Sequence, residues 1–207
     1  TGTIAKEILK LDGDAGIERL NRALAQQGRG IGIPLGFSNG YALAMREESP
    51  VPLGMFFDDG ERAVVARSME RFLRWKLPER RLHTRPIKGT RAREDAGAAL
   101  ESEEKRALVA DPKEHAEHAM IVDLMRNDLG RVAATGSVEV VERFVVEPFA
   151  RLHHLVSTIA CTTRPGLRMS DILRATFPPG SVTGTPKLRA IEVIDLLEHT
   201  PRGIYTG

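Results

Sequence analysis

The 207-residue sequence contains a single cysteine, almost no net charge and no long hydrophobic run. Cys161 alone cannot form an internal disulfide, and no cluster of cysteines is present to hold zinc. With 30 Lys and Arg against 28 Asp and Glu, the formal charge of +2 argues against a dedicated nucleic-acid binder, which carries a strong basic excess. The apolar runs fall far short of the roughly 20 residues that a membrane helix needs.

What remains is the composition of an ordinary globular protein. Hydrophobic residues make up 42% of the sequence and charged residues 28%, which excludes a disordered or fibrous class. Thr1–Lys10 lacks the charged-then-apolar layout of a signal peptide. We therefore expect a soluble, cytoplasmic protein that forms one large domain or two small ones.

Periodicity, caps and turn residues predict both helices and strands. Helices are expected after Asp14 and at Tyr41–Glu48, Asp111–Asn127, Ser170–Phe177 and Pro186–Glu198. Strands are expected at Leu53–Asp58, Arg62–Ala66, Phe72–Leu77, Leu82–Arg85, Ser137–Glu147 and Leu152–Thr162, the first two joined by an Asp59-Gly60 turn. The charged, alanine-rich Arg91–Val109 lacks a strong apolar stripe and is expected to be an exposed connection. Because strands and helices cluster rather than alternate, an α+β fold is favoured over a doubly wound sheet.

The first candidate site is the basic segment Thr84–Arg93, in which Pro86 and Gly89 flank Lys88. Positive neighbours and partial burial favour the neutral amine of a lysine, which can then act as a base or a nucleophile. The alternative is a basic loop in solvent. Composition alone favours that alternative, because charge runs are usually solvated.

The second candidate lies on the predicted helix that begins after Asp111, which carries Glu114 and Glu117. Glu117 has helical spacing from Met120, Ile121 and Leu124, so it is expected to share their buried stripe. A buried carboxylate must find a cation or become protonated. Carboxylate ligands of this kind suit Mg²⁺. The alternative is a salt bridge from Glu117 to an arginine of another element.

The third candidate is the glycine-rich turn Gly180–Lys187 at the start of the last predicted helix. Thr185 is a natural N-cap and Pro186 a natural first helical residue, so free N–H groups would favour a phosphate or carboxylate. The spacing is not that of a Walker A loop. A glycine turn with an ordinary cap is the alternative. Neither Glu70 nor the pair His153-His154 stands out from spacing alone.

Several motifs, taken together and in order, resemble the chorismate-utilising enzymes. They are Pro86–Arg91, Glu117–Arg131, Phe144–Phe149, His153–Thr158 and Phe177–Lys187. The resemblance runs almost continuously from about Tyr41 to Gly207 and is weak over residues 1–40. It implies a fold of stacked, mainly antiparallel sheets flanked by helices. Relatives continue with strands that bring a substrate-binding arginine and a further Mg²⁺-binding glutamate, so residues 1–207 are expected to be an incomplete chorismate-binding domain of a longer polypeptide.

Lysine at position 88 is typical of the family members that make aminodeoxychorismate, on the route to p-aminobenzoate and folate, whereas anthranilate synthases usually carry alanine. The resemblance implies that Lys88 attacks C2 of chorismate as the C4 hydroxyl leaves, and that ammonia then adds at C4 and expels the lysine. It implies Glu70 as the general acid and Glu117 as a Mg²⁺ ligand, and Glu114 on the same predicted helix is the second expected Mg²⁺ ligand. The implied substrate-binding residues are His154, Gly180, Ser181, Thr183, Gly184 and Lys187.

The sequence departs from the family pattern at two further places. Met69 replaces the proline usual before Glu70, and Gly28–Ile33 stands where a Tyr-Gln-Val-Asn-Leu strand is usual. The implied partners are chorismate and a glutamine amidotransferase subunit or domain that supplies ammonia, with no nucleic acid and no membrane. Two alternatives stay open: an anthranilate synthase-like enzyme in which Lys88 is only a positive group, and a catalytically incomplete chorismate-binding subunit.

Overall fold

The structure, a computed structural model, describes residues 51–58, 63–93, 98–149 and 151–203. The helices expected after Asp14 and at Tyr41–Glu48, the segment Gly28–Ile33 and the Asp59-Gly60 turn lie outside these residues. The chain divides into two compact units, Thr1–Met69 and Glu70–Gly207. In the first, β1 (Leu53–Asp58) and β2 (Ala63–Ser68) pair antiparallel, so the predicted hairpin is confirmed.

The second unit contains an antiparallel sheet of five strands among its described residues. The strands are β3 (Arg71–Lys76), β4 (Arg81–Arg85), β5 (Ile87–Ala92), β6 (Glu139–Pro148) and β7 (Leu152–Thr162). Four of them match predicted strands to within a few residues, and β5 was predicted only as a basic loop. The α+β prediction is confirmed.

The central strand β7 has two edges and three partners. β6 pairs along nearly all of it, while β4 pairs with Ile159–Thr162 and β5 with Leu152–Val156. Because β6 overlaps both of those stretches, β4 and β5 must share the opposite edge and together form one interrupted strand. The interruption is Pro86, which has no N–H to donate, and its carbonyl accepts the Ser157 N–H at 3.3 Å.

Four α-helices are described. They are α1 (Ala98–Ala110), α2 (Pro112–Gly130), α3 (Met169–Thr176) and α4 (Lys187–Leu197). The start of α2 follows the predicted signal, since the Asp111 carboxylate accepts the N–H groups of Lys113 and Glu114. No described helix is long and apolar enough to cross a membrane.

Helix α2 packs its buried face on β7. His118, Val122, Met125 and Leu129 recur at helical spacing on that face, and the core includes Ile159 and Cys161 of β7. The predicted stripe of α2 is confirmed in part, since Leu124 is buried and Ile121 packs against the core. Met120 is 51% exposed, and Glu117 lies at the margin of the buried face with its side chain 32% exposed.

The expectation of an exposed connection over Arg91–Val109 is wrong. β5 extends to Ala92, and α1 begins at Ala98. Leu108 of α1 is buried, and Glu104 lies with one carboxylate oxygen 3.3 Å from Nε2 of the buried His153. Because α1 is anchored by a few tertiary contacts and not by a broad apolar stripe, periodicity does not reveal it.

Candidate active site

Strand β5 bulges at Lys88. Ile87 pairs with Val156 and Thr90 with His154, so three steps along β5 span two steps along β7. Gly89 accommodates the extra residue with φ of +97°, and a Cβ there would lie 3.2 Å from the Leu155 Cβ. A bulge redirects side chains out of the regular ladder. The side chain of Lys88 accordingly reaches α2.

The nearest charged partner of Lys88 is a carboxylate. Lys88 Nζ lies 3.2 Å from Glu117 Oε2, and the other oxygen of Glu117 lies 3.9 Å from Lys113 Nζ. The Lys88 side chain remains 47% exposed, so it is paired and still accessible. The salt bridge considered for Glu117 therefore exists, although its partners are lysines.

Two of the three arginines expected around Lys88 bind other groups. Arg85 forms an ion pair with Glu147 and donates to Thr158 Oγ1 at 3.1 Å. Arg93 donates to the Phe149 carbonyl at 3.2 Å. The described ion pair of Lys88 is instead with Glu117.

Glu70 is brought to the same place. Burial raises the pKa of the Glu70 carboxyl, while a hydrogen bond with the Ser181 side chain and the positive charge of Lys88 oppose that rise. Met69 in place of the expected proline has not moved Glu70 away from these residues. The structure therefore brings Lys88, Glu70, Ser181 and Glu117 close together, although these residues are far apart in the sequence.

The raised pKa of Glu70 predicts a pH-dependent effect of Glu70→Gln on stability. The protonated carboxyl stabilises the fold fully below its ordinary pKa of 4.5, and that contribution is lost as pH rises through the higher folded-state pKa. The free energy of unfolding of the variant minus that of the wild type should therefore increase with pH from about 4.5 upwards. Urea unfolding between pH 4 and 8 measures it, with the exposed Glu79→Gln as a control. A difference that stays flat or falls would contradict the assignment.

The turn after α3 is held tightly against α2. Gly180 begins a single turn of 3-10 helix, and a Cβ there would lie 2.5 Å from Leu124 Cδ2 and 2.7 Å from Met125 Cε. Only glycine permits this approach, which sets the position of Ser181. The Thr183 hydroxyl donates to the Pro179 carbonyl at 3.1 Å, so it is turned into the loop.

The contacts of Lys187 differ from those expected of a substrate-binding residue. Its ammonium forms an ion pair with Asp128 and donates to the carbonyls of Thr176 and Pro178, each at 2.9 Å. These three acceptors match its three N–H donors, and its side chain is only 10% exposed. We therefore expect Lys187 to hold the turn against α2 and not to bind a ligand, in contrast to the sequence-based prediction. The cap of α4 is Pro186 and not Thr185.

His154 lies beside the bulge but makes no described contact with Glu117. Its Nδ1 is 2.9 Å from Thr90 Oγ1, and burial lowers the pKa of its ring while a hydrogen bond with the Gly89 main chain opposes that. Side chains alternate along a strand, so His154 faces away from the side on which Ser157 contacts α2. Gly184, also expected near substrate, has φ of +146° and no described polar contact.

Two residues near Lys88, His118 and Ser157, received no role from the sequence. His118 Nδ1 is 2.9 Å from the Lys88 carbonyl oxygen, and its Nε2 is 2.7 Å from Ser157 Oγ. Burial lowers the pKa of His118, with the Lys88 hydrogen bond opposing. The only sequence signal was the place of His118 next to Glu117, which does not reveal the contact with a strand 30 residues earlier.

The residues at the bulge are compatible with Mg²⁺. The described residues contain no group of three or more His, Cys, Asp or Glu side chains placed for a metal. However, Glu114 Oε2 lies 3.1 Å from where a Gly89 Cβ would be, and Glu117 faces Lys88 one residue earlier in β5. Mg²⁺ commonly binds through one or two carboxylates and completes its shell with water and substrate oxygens. Glu117 and Glu114 fit such a partial site.

Comparison with known families decides the classification. Residues 39–207 match the family model described as chorismate binding enzyme. The chain belongs to the chorismate binding enzyme family. The resemblance inferred from the sequence motifs is therefore confirmed.

Relatives in this family carry two different names. The chain is 49% identical over 156 residues to aminodeoxychorismate synthase component 1 of Klebsiella aerogenes, covering 75% of this chain and 34% of the relative. It is 44% identical over 167 residues to anthranilate synthase component 1 of Pseudomonas putida, covering 79% and 33%. The chain thus spans about a third of the length of these curated relatives.

A solved structure of an anthranilate synthase component has the same fold. The structure superposes on anthranilate synthase component I of Streptococcus pneumoniae TIGR4 with a TM-score of 0.71 and 31% identity. The match covers 93% of this chain and 44% of the other. The predicted fold class is confirmed.

Proposed function

We propose that the chain is the chorismate-aminating part of an aminodeoxychorismate synthase. The observation that carries this proposal is the bulge in β5, which holds Lys88 Nζ 3.2 Å from Glu117 Oε2 and within electrostatic reach of Glu70. Similarity to aminodeoxychorismate synthase component 1 supports it. The product would be 4-amino-4-deoxychorismate.

In the proposed reaction Lys88 is a covalent nucleophile. The exposed Lys88 ammonium first loses a proton to solvent. A bond then forms between its neutral Nζ and C2 of chorismate, the ring double bonds shift, and the C4–O bond breaks. Ammonia then bonds to C4 while the C2–Nζ bond breaks, which restores the free lysine. The exposure of the Lys88 side chain allows a small ring to approach it.

Glu70 is proposed as the general acid for loss of the C4 hydroxyl. Burial raises the pKa of its carboxyl, so the proton is retained to higher pH than on an exposed glutamate. The proton transferred from Glu70 completes the departing water. Ser181, whose side chain is hydrogen-bonded to Glu70, would hold the carboxyl in place.

Glu117 and Glu114 are proposed to hold Mg²⁺. When bound, the ion would supply positive charge for the ring carboxylate of chorismate. Chorismate is a dianion, so cationic groups at the site favour its binding. His154, Gly180, Thr183 and Gly184 remain proposed substrate neighbours, and their described contacts shape the bulge and the turn that border the site.

The ammonia is proposed to come from a glutamine amidotransferase partner. The name "component 1" given to the relatives implies a second component. The single cysteine, Cys161, is fully buried, and burial raises the pKa of its thiol to about 11, so it is not suited to activate glutamine itself.

Product identification tests the proposal directly. The complete chain, incubated with chorismate, Mg²⁺ and an ammonium salt, should form 4-amino-4-deoxychorismate, identified by liquid chromatography and mass spectrometry. Similarity to anthranilate synthases favours a second candidate function, the formation of anthranilate. Anthranilate with pyruvate as the product would replace the proposal with that function. Chorismate binding without turnover by the well-folded chain would indicate a catalytically incomplete subunit.

A further inference from the structure

Strands β5 and β6, on the two edges of β7, bulge at neighbouring positions. The bulge of β5 lies between the partners of Val156 and His154, whereas β6 carries an extra residue between Glu142, which pairs with Thr158, and Val145, which pairs with Val156. Phe144 occupies this second bulge with φ of +55°, an uncommon conformation for a residue other than glycine. Ser157 of β7 lies opposite the bulge of β6.

A chain of hydrogen bonds joins the two bulges through α2. The Phe144 N–H donates to Ser157 Oγ at 3.0 Å, Ser157 Oγ lies 2.7 Å from His118 Nε2, and His118 Nδ1 lies 2.9 Å from the Lys88 carbonyl oxygen. A carbonyl oxygen only accepts, so His118 Nδ1 must donate. In the neutral ring Nε2 then accepts from the Ser157 hydroxyl. Each polar side-chain atom of His118 and Ser157 therefore has a hydrogen-bond partner, and both residues are fully buried.

The bulge explains why the Lys88 carbonyl needs this partner. Lys88 and Gly89 have no paired residue in β7, because the register moves from Ile87–Val156 directly to Thr90–His154. A main-chain carbonyl left unpaired in the interior is costly, and the alternative is a slip of β5 that would remove the bulge. The His118 hydrogen bond therefore stabilises the bulged conformation that directs Lys88 to α2.

We propose that His118 is a positioning residue for Lys88. Adjacent residues of α2 hold Lys88 at both ends: His118 binds its main-chain carbonyl, while Glu117 binds its side-chain ammonium. This inference rests on the proposed role of Lys88 as nucleophile. His118 does not touch the substrate, and it acts only by fixing the backbone from which Lys88 extends.

Two substitutions at position 118 separate its two hydrogen bonds. The amide nitrogen of asparagine can occupy the place of Nδ1, so His118→Asn keeps the donor to Lys88 and loses the link to Ser157. The amide of glutamine reaches the place of Nε2, so His118→Gln keeps the link to Ser157 and loses the donor to Lys88. Both variants remove the same ring from the core, which makes them matched controls for lost packing.

The expected result is a difference in kcat between the two variants. In the complete chain with chorismate, Mg²⁺ and an ammonium salt, His118→Gln should lower kcat by about 10²-fold, the size of effect expected from misplacing a reacting group by about 1 Å. His118→Asn should retain kcat to within about fivefold, with the KM for chorismate little changed in either. Equal losses of kcat that follow equal losses of thermal stability would overturn the positioning role.

A measurement on the wild type tests the hydrogen-bond chain without using activity. Nitrogen-15 spectra of the histidine side chains should show His118 protonated on Nδ1 and unprotonated on Nε2, with the assignment made from the signals lost in His118→Asn. The opposite tautomer would overturn the inference. If the tautomer is as expected while the wild type forms no aminodeoxychorismate, the proposed function has failed and the structural link between His118 and Lys88 stands.

Discussion

Replacing Lys88 with alanine should lower the formation of 4-amino-4-deoxychorismate to less than about a thousandth of the wild-type rate, since the proposed covalent route has no other nucleophile at the bulge. The fold should survive, because the Lys88 side chain is about half exposed and its ion pair with Glu117 is open to solvent. Initial rates with chorismate, Mg²⁺ and an ammonium salt measure the effect.

Lys113→Ala is the matched control for this substitution. Lys113 also lies beside Glu117, at 3.9 Å, but it extends from α2 itself and not from the bulge. Its loss should change the rate by no more than about threefold, because an exposed ion pair contributes little. Comparable losses in the two variants would mean that positive charge near Glu117 is what matters, as expected of an anthranilate synthase-like site. Near-normal rates for Lys88→Ala would exclude Lys88 as the nucleophile.

Lys187→Met should destabilise the fold by about 3–5 kcal/mol, because it leaves the carboxylate of Asp128 buried without its charged partner. Asp128 is 3% exposed in its side chain, and burial already raises the pKa of its carboxyl against the opposing effect of Lys187. The carbonyls of Thr176 and Pro178 would lose their donor as well. Urea unfolding at neutral pH gives the change in free energy.

The double variant Lys187→Met with Asp128→Asn distinguishes the buried charge from lost packing. It removes the uncompensated carboxylate, so it should be more stable than Lys187→Met alone even though it contains one more substitution. Lys113→Met, at a side chain that is 79% exposed, should change stability by less than about 0.5 kcal/mol. If Lys187→Met and Lys113→Met change the free energy of unfolding by the same amount, Lys187 does not hold the turn against α2.

Local signals predicted most of the secondary structure. The start of α2 was predictable because Asp111, Pro112 and Glu114 form a capping pattern that requires no tertiary contact. The long strands β6 and β7 were predictable from their apolar residues. In contrast, α1 depends on Leu108 and Glu104 reaching the sheet, and isolated positions of this kind do not form a periodic pattern.

The sequence identified residues of the candidate site better than it predicted their arrangement in space. Family motifs selected Lys88, Glu117 and Glu70, but the reason that they meet is the bulge of β5, and a one-residue change of register leaves no mark on composition. The contacts of Lys187 were not predictable because its acceptors, Asp128 and two carbonyls, come from segments 9 to 59 residues away. Pairings between distant segments have no local signature.

The most direct test of the account is the mass of the protein during its first chemical step. The complete chain mixed with chorismate and Mg²⁺, without any ammonia source, should gain the mass of chorismate less one water, and peptide mapping should place the added group on Lys88. The adduct should disappear when ammonia is supplied. Formation of aminodeoxychorismate by a chain that never carries this adduct, or an adduct that maps to another residue, would contradict the central role given to Lys88.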